Sequence, residues 1–388
     1  MGKSVLVLGA YGHVGRCIVP ELVKMAGIDR VVATGRIKTK LESCFSGITA
    51  SNLELRTLDV FDKLALQSSC QGMDLVINCV GPYAWRGSEI TTDVITNGVN
   101  YIDFANEQSH YRRLQRIAIV AEQNGLVLVT GAGTSPGIST MLFQKGKEAI
   151  PAATTFEMFY ASGRHPTREE GFGSVMGAIV ETGFDPVAWI GGKPVKMPLG
   201  KEYRSVQLPA PYGACNMISF PTIDALIVPK MLGAETVNTF WSMGNIPFGL
   251  PTLIKLFKPH KREWAYEQFA KLVRSTMNRD YDRAVRDSLG IESIMLVTVS
   301  SASERWEATM TFPKGGGAAA SYMALLAAKK VLSGRVKKAG LVTPGDGIAT
   351  PTELIETMHE SGWTGKLESK TTRPVSCSTR KSDEKIKS

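Results

Sequence analysis

The stretch "LVLGAYGHVGR" (Leu6–Arg16) places three glycines, Gly9, Gly12 and Gly15, three residues apart at the end of an apolar run. The order is strand, glycine turn, helix. In such a unit the first glycine permits a tight turn and the second lets backbone approach a pyrophosphate. The third lets the helix pack closely on the strand. Amide groups at the helix start then meet phosphate oxygens. Gly9, Ala10, Tyr11, Gly12, His13, Val14 and Gly15 are therefore expected to cradle a dinucleotide.

The end of the second strand selects the dinucleotide. An NAD site wants Asp or Glu there, on the ribose hydroxyls. This chain has Thr34, Gly35 and Arg36, followed by Lys38 and Lys40. A guanidinium grips a 2′-phosphate that a carboxylate would repel, so the expected cofactor is NADP(H). Asp59 and Val60 close the third strand and should flank the adenine. Cys79, Val80, Gly81 and Pro82 close the fourth and should line the nicotinamide ribose.

Apolar strands continue at 30–35, 53–59, 74–81, 100–104 and 126–132, with helical stretches between them. Strands without polar alternation, spaced by helices, mean a parallel sheet covered on both faces. After about residue 135 the pattern changes. Segments 154–162, 186–199 and 293–312 read as antiparallel strands with Gly and Pro turns. The predicted fold is α/β: a Rossmann-type doubly wound parallel sheet with an inserted α+β substrate and dimerisation domain. The expected boundaries are 1–135 for the NADP-binding domain, 136–315 for the inserted domain and 316–365 for helices returning to the first. A disordered tail, rich in Ser, Thr, Lys and Arg, is expected over 366–388.

Composition agrees. The 388 residues are 43% hydrophobic and 21% charged, with a net charge of +9, as in ordinary globular proteins. No basic face with interleaved aromatics marks a nucleic-acid partner; an anionic small molecule accounts for the excess charge. Six cysteines without a C-x-x-C pair suit a reducing compartment. The first strand leaves no room for a leader, so a cytoplasmic location is expected. Five scattered histidines give no metal spacing.

Two motifs are set aside. "GTSPG" (Gly133–Gly137) matches a hydrolase serine elbow, but Pro136 follows the serine and has no N–H for an oxyanion hole. The tyrosine-x-x-x-lysine pair of short-chain dehydrogenases is absent, since no tyrosine has a lysine four residues on.

"GAYGHVGR", "TGR", "DLVINCVGPYAWRG", "GVNYIDFANE", "GAGTSPGIST" and "GLVTPGDGIATPTELIETMHESGW" together resemble the saccharopine dehydrogenase-like (saccharopine reductase-like) oxidoreductases. The resemblance covers most of the chain and is specific over the first 140 residues. It implies a Rossmann domain, an inserted substrate and dimerisation domain, a homodimer and an NAD(P)-linked reaction. Members reduce imines formed from amino acids; others act on polyamine precursors or lipid double bonds. The saccharopine enzymes carry "DPG" where this chain has "SPG" at Ser135, a departure from their substrate chemistry.

Ligands of such sheets sit at the carboxyl ends of the strands. There Tyr83 either protonates or orients a substrate, or packs beside the cofactor. Arg86 pairs with a substrate carboxylate or is solvated. Asp103 relays protons or caps the next helix. Ser135, Pro136 and Gly137 offer a hydroxyl and close backbone approach. Arg164, His165 and Arg168 are candidate substrate contacts. The apolar, proline-broken 240–257 and the basic "KPHKR" after it read as core or dimer interface. Two alternatives are the lining of an apolar pocket and contact with a membrane surface. The reading is an NADPH-dependent reductase of a C=N bond acting on a small molecule, with two rivals. One is an enoyl reductase of a lipid or polyketide pathway, the other an NADP-binding protein without turnover.

Overall fold

A computed structural model describes residues 2–162, 171–210, 212–242, 250–286 and 292–373. The chain starts with β1 (Lys3–Leu8), α1 (Gly15–Lys24), β2 (Ile28–Gly35), α2 (Lys38–Phe45), β3 (Leu53–Thr57) and α3 (Lys63–Cys70). It continues with β4 (Leu75–Asn78), α4 (Tyr83–Thr96), β5 (Asn100–Asp103), α5 (Gln108–Gln123) and β6 (Val127–Val129). These strands, joined by a late one, form a parallel sheet in the order β3-β2-β1-β4-β5-β6. The order reverses beside β1, and this switch point is where such sheets bind ligands.

Alternate residues of each strand enter two different cores. Val5 and Val7 pack with Val31, Leu75, Ile77 and Ile102 on one face. Leu6 and Leu8 pack with Val32, Val76 and Tyr101 on the other. Burial on both faces is why these strands show no polar alternation.

The second domain contains α6 (Ile138–Ala149), β7 (Thr155–Ala161), α7 (Phe172–Glu181) and the hairpin β8 (Val187–Ile190) and β9 (Lys193–Lys196). Next come β10 (Tyr203–Leu208), β11 (Gly213–Ser219), α8 (Asp224–Leu232) and β12 (Thr236–Ser242). Helices α9 (Leu250–Phe257) and α10 (Glu263–Arg286) precede the hairpin of β13 (Ser293–Ser300) and β14 (Arg305–Phe312). The chain then returns through the apolar helix α11 (Gly315–Leu332), which packs on α1. Strand β15 (Gly340–Val342) adds to the parallel sheet beside β6, and α12 (Pro351–Glu360) follows. Finally β16 (Leu367–Thr372) crosses back to pair with β14.

The second sheet runs β10-β11-β12-β7-β13-β14-β16, with β8 and β9 paired off β12. Two details depart from the sequence expectation. First, β7 pairs with β12 in parallel, so the second sheet is mixed. Second, the tail expected from Lys366 is ordered at its start: backbone pairing to β14 holds Leu367–Thr372 as an edge strand, although its side chains are largely exposed. Residues 374–388 lie outside the described residues.

Buried carboxylates tie the two sheets together. Asp224, at the start of α8, has no exposed surface. It accepts hydrogen bonds from Ser135, Ser139, Thr140 and Thr222 at 2.7–2.9 Å. Replacing it with Ala would leave four buried hydroxyls without this acceptor. Asp224→Ala is expected to cost ~3 kcal/mol or more, read as a lowered urea midpoint at constant slope. Asp224→Asn, which keeps one acceptor, should cost less.

Candidate functional site

A cleft of about 910 Å³ runs from the end of β2, past the glycine turn, to the start of α7 in the second domain. One end is cationic. Arg36 and Lys40 line it, and neither has an ion-pair partner among the described residues. The middle is walled by Tyr11, Gly12, His13 and Val14, and by Cys79 and Gly81 from the neighbouring strand end. The inner end is formed by Tyr83, Phe104, Asn106 and Glu107, facing Phe172, Ser174 and Arg274.

The glycine turn is packed too tightly against its own backbone and Val80 for side chains. Gly9 has φ +70°, and a Cβ there would stand 2.8 Å from Val80. A Cβ on Gly12 would lie 3.0 Å from the carbonyl oxygen of Gly9, and one on Gly15 would lie 2.5 Å from that of Ala10. Only bare backbone allows helix α1 to start this close to β1, with its amino end beside the cleft. Gly35 is filled from outside by the ring of Tyr11, which a Cβ would strike. Thr34, fully buried, donates its hydroxyl to Val7 O at 2.9 Å and fixes the end of β2. His13 is pushed down to about 4 by burial and by the Arg16 cation, so it is neutral at pH 7.

At the inner end, Tyr83 donates its hydroxyl to Asn78 O at 2.6 Å. Burial, with Asp103 nearby, holds its pKa well above the ordinary tyrosine value. Its proton is therefore committed, and the ring serves as a wall. Glu107 is fully desolvated. One oxygen accepts from Tyr83 N–H at 2.9 Å and the other from Asn106 N–H at 3.0 Å. Burial raises its pKa, partly offset by His110 and these amides. No cation pairs with it among the described residues. Arg274, from α10, lies over the Phe172 ring at 4.4 Å.

Several expected site residues sit elsewhere. Asp103 has no exposed surface; it accepts from Ala105 N–H, Thr130 Oγ1 and Gly131 N–H and meets His110 Nε2 at 2.8 Å. It stands behind the cleft wall, where it braces the ends of β5 and β6. Arg86 pairs with Glu89 at 2.8 Å and stacks over Phe61 at 4.0 Å. Together with Val60 it lines a separate cavity of about 350 Å³, away from the main cleft. Asp59 is exposed and accepts from Phe61 N–H. Ser135, Pro136 and Gly137 are buried in the knot around Asp224, outside the cleft lining. Arg164, His165 and Arg168 lie outside the described residues. Phe172, Ser174 and Arg274 were missed in the sequence; the "GFGS" (171–174) turn was the available signal for the first two.

Residues 5–129 match the family described as the saccharopine dehydrogenase NADP binding domain. A probable mitochondrial saccharopine dehydrogenase-like oxidoreductase of Arabidopsis thaliana is 23% identical over 276 residues, 64% of this chain and 58% of that protein. A lipid droplet localized protein of Caenorhabditis elegans is 28% identical over 140 residues, 34% of this chain and 33% of that one. The matched stretches thus span less than two thirds of these relatives' lengths. The apo structure of histidine-tagged saccharopine dehydrogenase (L-Glu forming) from Saccharomyces cerevisiae superposes with a TM-score of 0.61. The match covers 96% of this chain and 100% of that one at 15% identity, a likeness of fold.

Fold and cleft define a two-domain Rossmann protein whose cofactor is NADP(H). Over residues 5–129 the chain carries the NADP binding domain of the saccharopine dehydrogenase family, and over most of its length it is similar to a saccharopine dehydrogenase-like oxidoreductase. Among the described residues no helix is long and apolar enough to cross a membrane.

Two outcomes follow from this geometry. Arg36→Ala should weaken NADPH by roughly 10–100-fold, the worth of a charge-assisted hydrogen bond. NADH should be almost unaffected, and calorimetric titration reads both. Glu181, from α7, accepts from Ser109 N–H at 2.8 Å and Ser109 Oγ at 2.5 Å. Burial pushes it up from 4.5 to about 7. The folded state thus holds a proton that the unfolded chain releases above pH 4.5. The stability due to Glu181 is complete below that pH and is lost as pH rises through 7. Glu181→Gln should flatten the pH dependence of urea midpoints across this window, a change of up to ~3 kcal/mol.

Proposed function

We propose that the protein is an NADPH-dependent oxidoreductase that reduces the C=N bond of an imine formed from an amine or amino acid and a carbonyl compound. The observation that carries this reading is Glu107: a desolvated carboxylate in the inner wall of the cleft, held by backbone amides and in no ion pair among the described residues. A protonated imine entering beside it supplies a direct ion-pair partner. Its arrival favours the ionised carboxylate, which burial otherwise disfavours.

When bound, NADPH supplies a hydride to an electrophilic carbon. The cationic end of the cleft holds its extra phosphate at Arg36 and Lys40, and the Gly9–Gly15 turn accommodates its pyrophosphate. Tyr83 and Phe104 wall the reacting region against water. An iminium already carries its proton on nitrogen, so no general acid is needed. This agrees with Tyr83, whose proton is committed to Asn78 O. Reduction of a C=C bond needs a donor at the second carbon, and the Tyr83 hydroxyl in the wall is already donated to Asn78 O. Arg274 offers a cation to a substrate carboxylate.

The test follows loss of reduced-nicotinamide absorbance with panels of amines or amino acids mixed with keto acids and aldehydes, beside a panel of enoyl thioesters. Turnover is expected on the first panel only. Glu107→Gln should lower kcat/KM by about 100-fold, the usual scale for a preorganised charge, with NADPH affinity retained as the check on folding. Turnover of enoyl thioesters alone would overturn the reading.

A further inference from the structure

The second domain carries an apolar surface that the cleft does not use. On α9, Leu253, Leu256 and Phe257 recur at i, i+3 and i+4, so they share one face. Ile254, on the adjoining face, is buried against Met176 and Phe269 and anchors the helix. Leu256 is 66% exposed. The Phe257 ring meets Trp264 of α10 edge-on at 6.0 Å, and Trp264 is itself 52% exposed. Leu272, two helical turns beyond Trp264, continues the stripe and is also exposed. Soluble monomers seldom display adjoining large apolar side chains in this way.

The surrounding charge is predominantly positive. Lys255, Lys258, Lys261, Arg262 and Lys271 lie on the same two helices and the turn between them, against the acids Glu263 and Glu267. None of these five cations forms an ion pair among the described residues. A second copy of this chain is a poor cover for the patch. A twofold contact sets a surface against itself and would bring the two cationic rims together. Anionic headgroups neutralise such a rim, while the acyl region takes up leucine, phenylalanine and the amphipathic indole.

We infer that α9 and the first half of α10 form a docking surface for an anionic phospholipid membrane, with Leu256, Phe257 and Trp264 entering the interface and the lysines at the headgroups. The protein lies on such a surface and does not span it. This surface is independent of the imine reading, and its failure would leave that reading intact.

Full-length protein is tested by co-sedimentation with two sets of vesicles, one of phosphatidylcholine alone and one of phosphatidylcholine with phosphatidylserine. Binding is expected to the second set, to weaken steeply with salt, and to fall roughly tenfold or more on Lys258→Gln with Lys261→Gln, since each surface cation contributes about fivefold. Leu256→Asp with Trp264→Asp should abolish it while leaving NADPH affinity unchanged, which also shows the variant is folded. Absence of binding to both sets, or equal binding to both, would overturn the proposal. So would a concentration-dependent dimer abolished by the same aspartates, with no vesicle binding, which would assign the surface to self-association.

Discussion

Desolvated carboxylates with little or no opposing charge set the terms on which the two sheets meet. Asp103, Glu107, Glu181 and Asp224 are all buried at or near the junction. Removing an ion from water costs several kcal/mol unless hydrogen bonds replace hydration. Here backbone amides and hydroxyl groups make nearly all the replacements. Asp224 gathers hydroxyls from the loop after β6, from α6 and from its own approach segment. Glu181 reaches from α7 to Ser109 on α5. Gln108 adds donors to Val187 O at 2.6 Å and Thr222 O at 2.9 Å. Each bond requires its partner element to sit in one place, so satisfying these acids and seating the second domain are a single event.

The cleft follows from that seating. The parallel sheet alone presents the glycine turn and the basic end of β2; the second domain supplies the opposite wall with Phe172, Ser174 and Arg274. Charge is sorted along its length. Cations stand where a phosphorylated ribose belongs, and an acid stands in the wall of the inner end. Glu107 belongs to both systems, since its amide donors come from the start of α4 and the turn before α5 while its side chain lines the cleft.

The parallel sheet was legible in the sequence because strands buried on both faces are apolar throughout, and because only glycine tolerates the contacts at Gly9 and Gly15. Strands β10 and β11 were not, since exposed residues interrupt each of them, as in "YRSVQL". Strand β16 hid behind a solvated composition; its order comes from backbone pairing, which no side chain announces. For Ser135 and Arg86 the sequence offered chemistry without partners. Asp224 lies 89 residues from Ser135, and Phe61 comes under Arg86 only through folding. Arg274 sits within a 24-residue helix of evenly mixed charge, where nothing local distinguishes it from its neighbours.

The polypeptide passes between the sheets more than once. It leaves the first domain after β6, returns through α11, and leaves again after α12 for β16. A lobe joined by two adjacent strands can swing like a door. A third attachment at the far edge, where Trp363 Nε1–H reaches Thr311 O at 2.9 Å, works as a latch. Three crossings in place of two leave the lobes little freedom to hinge, so the width of the cleft is set by the fold.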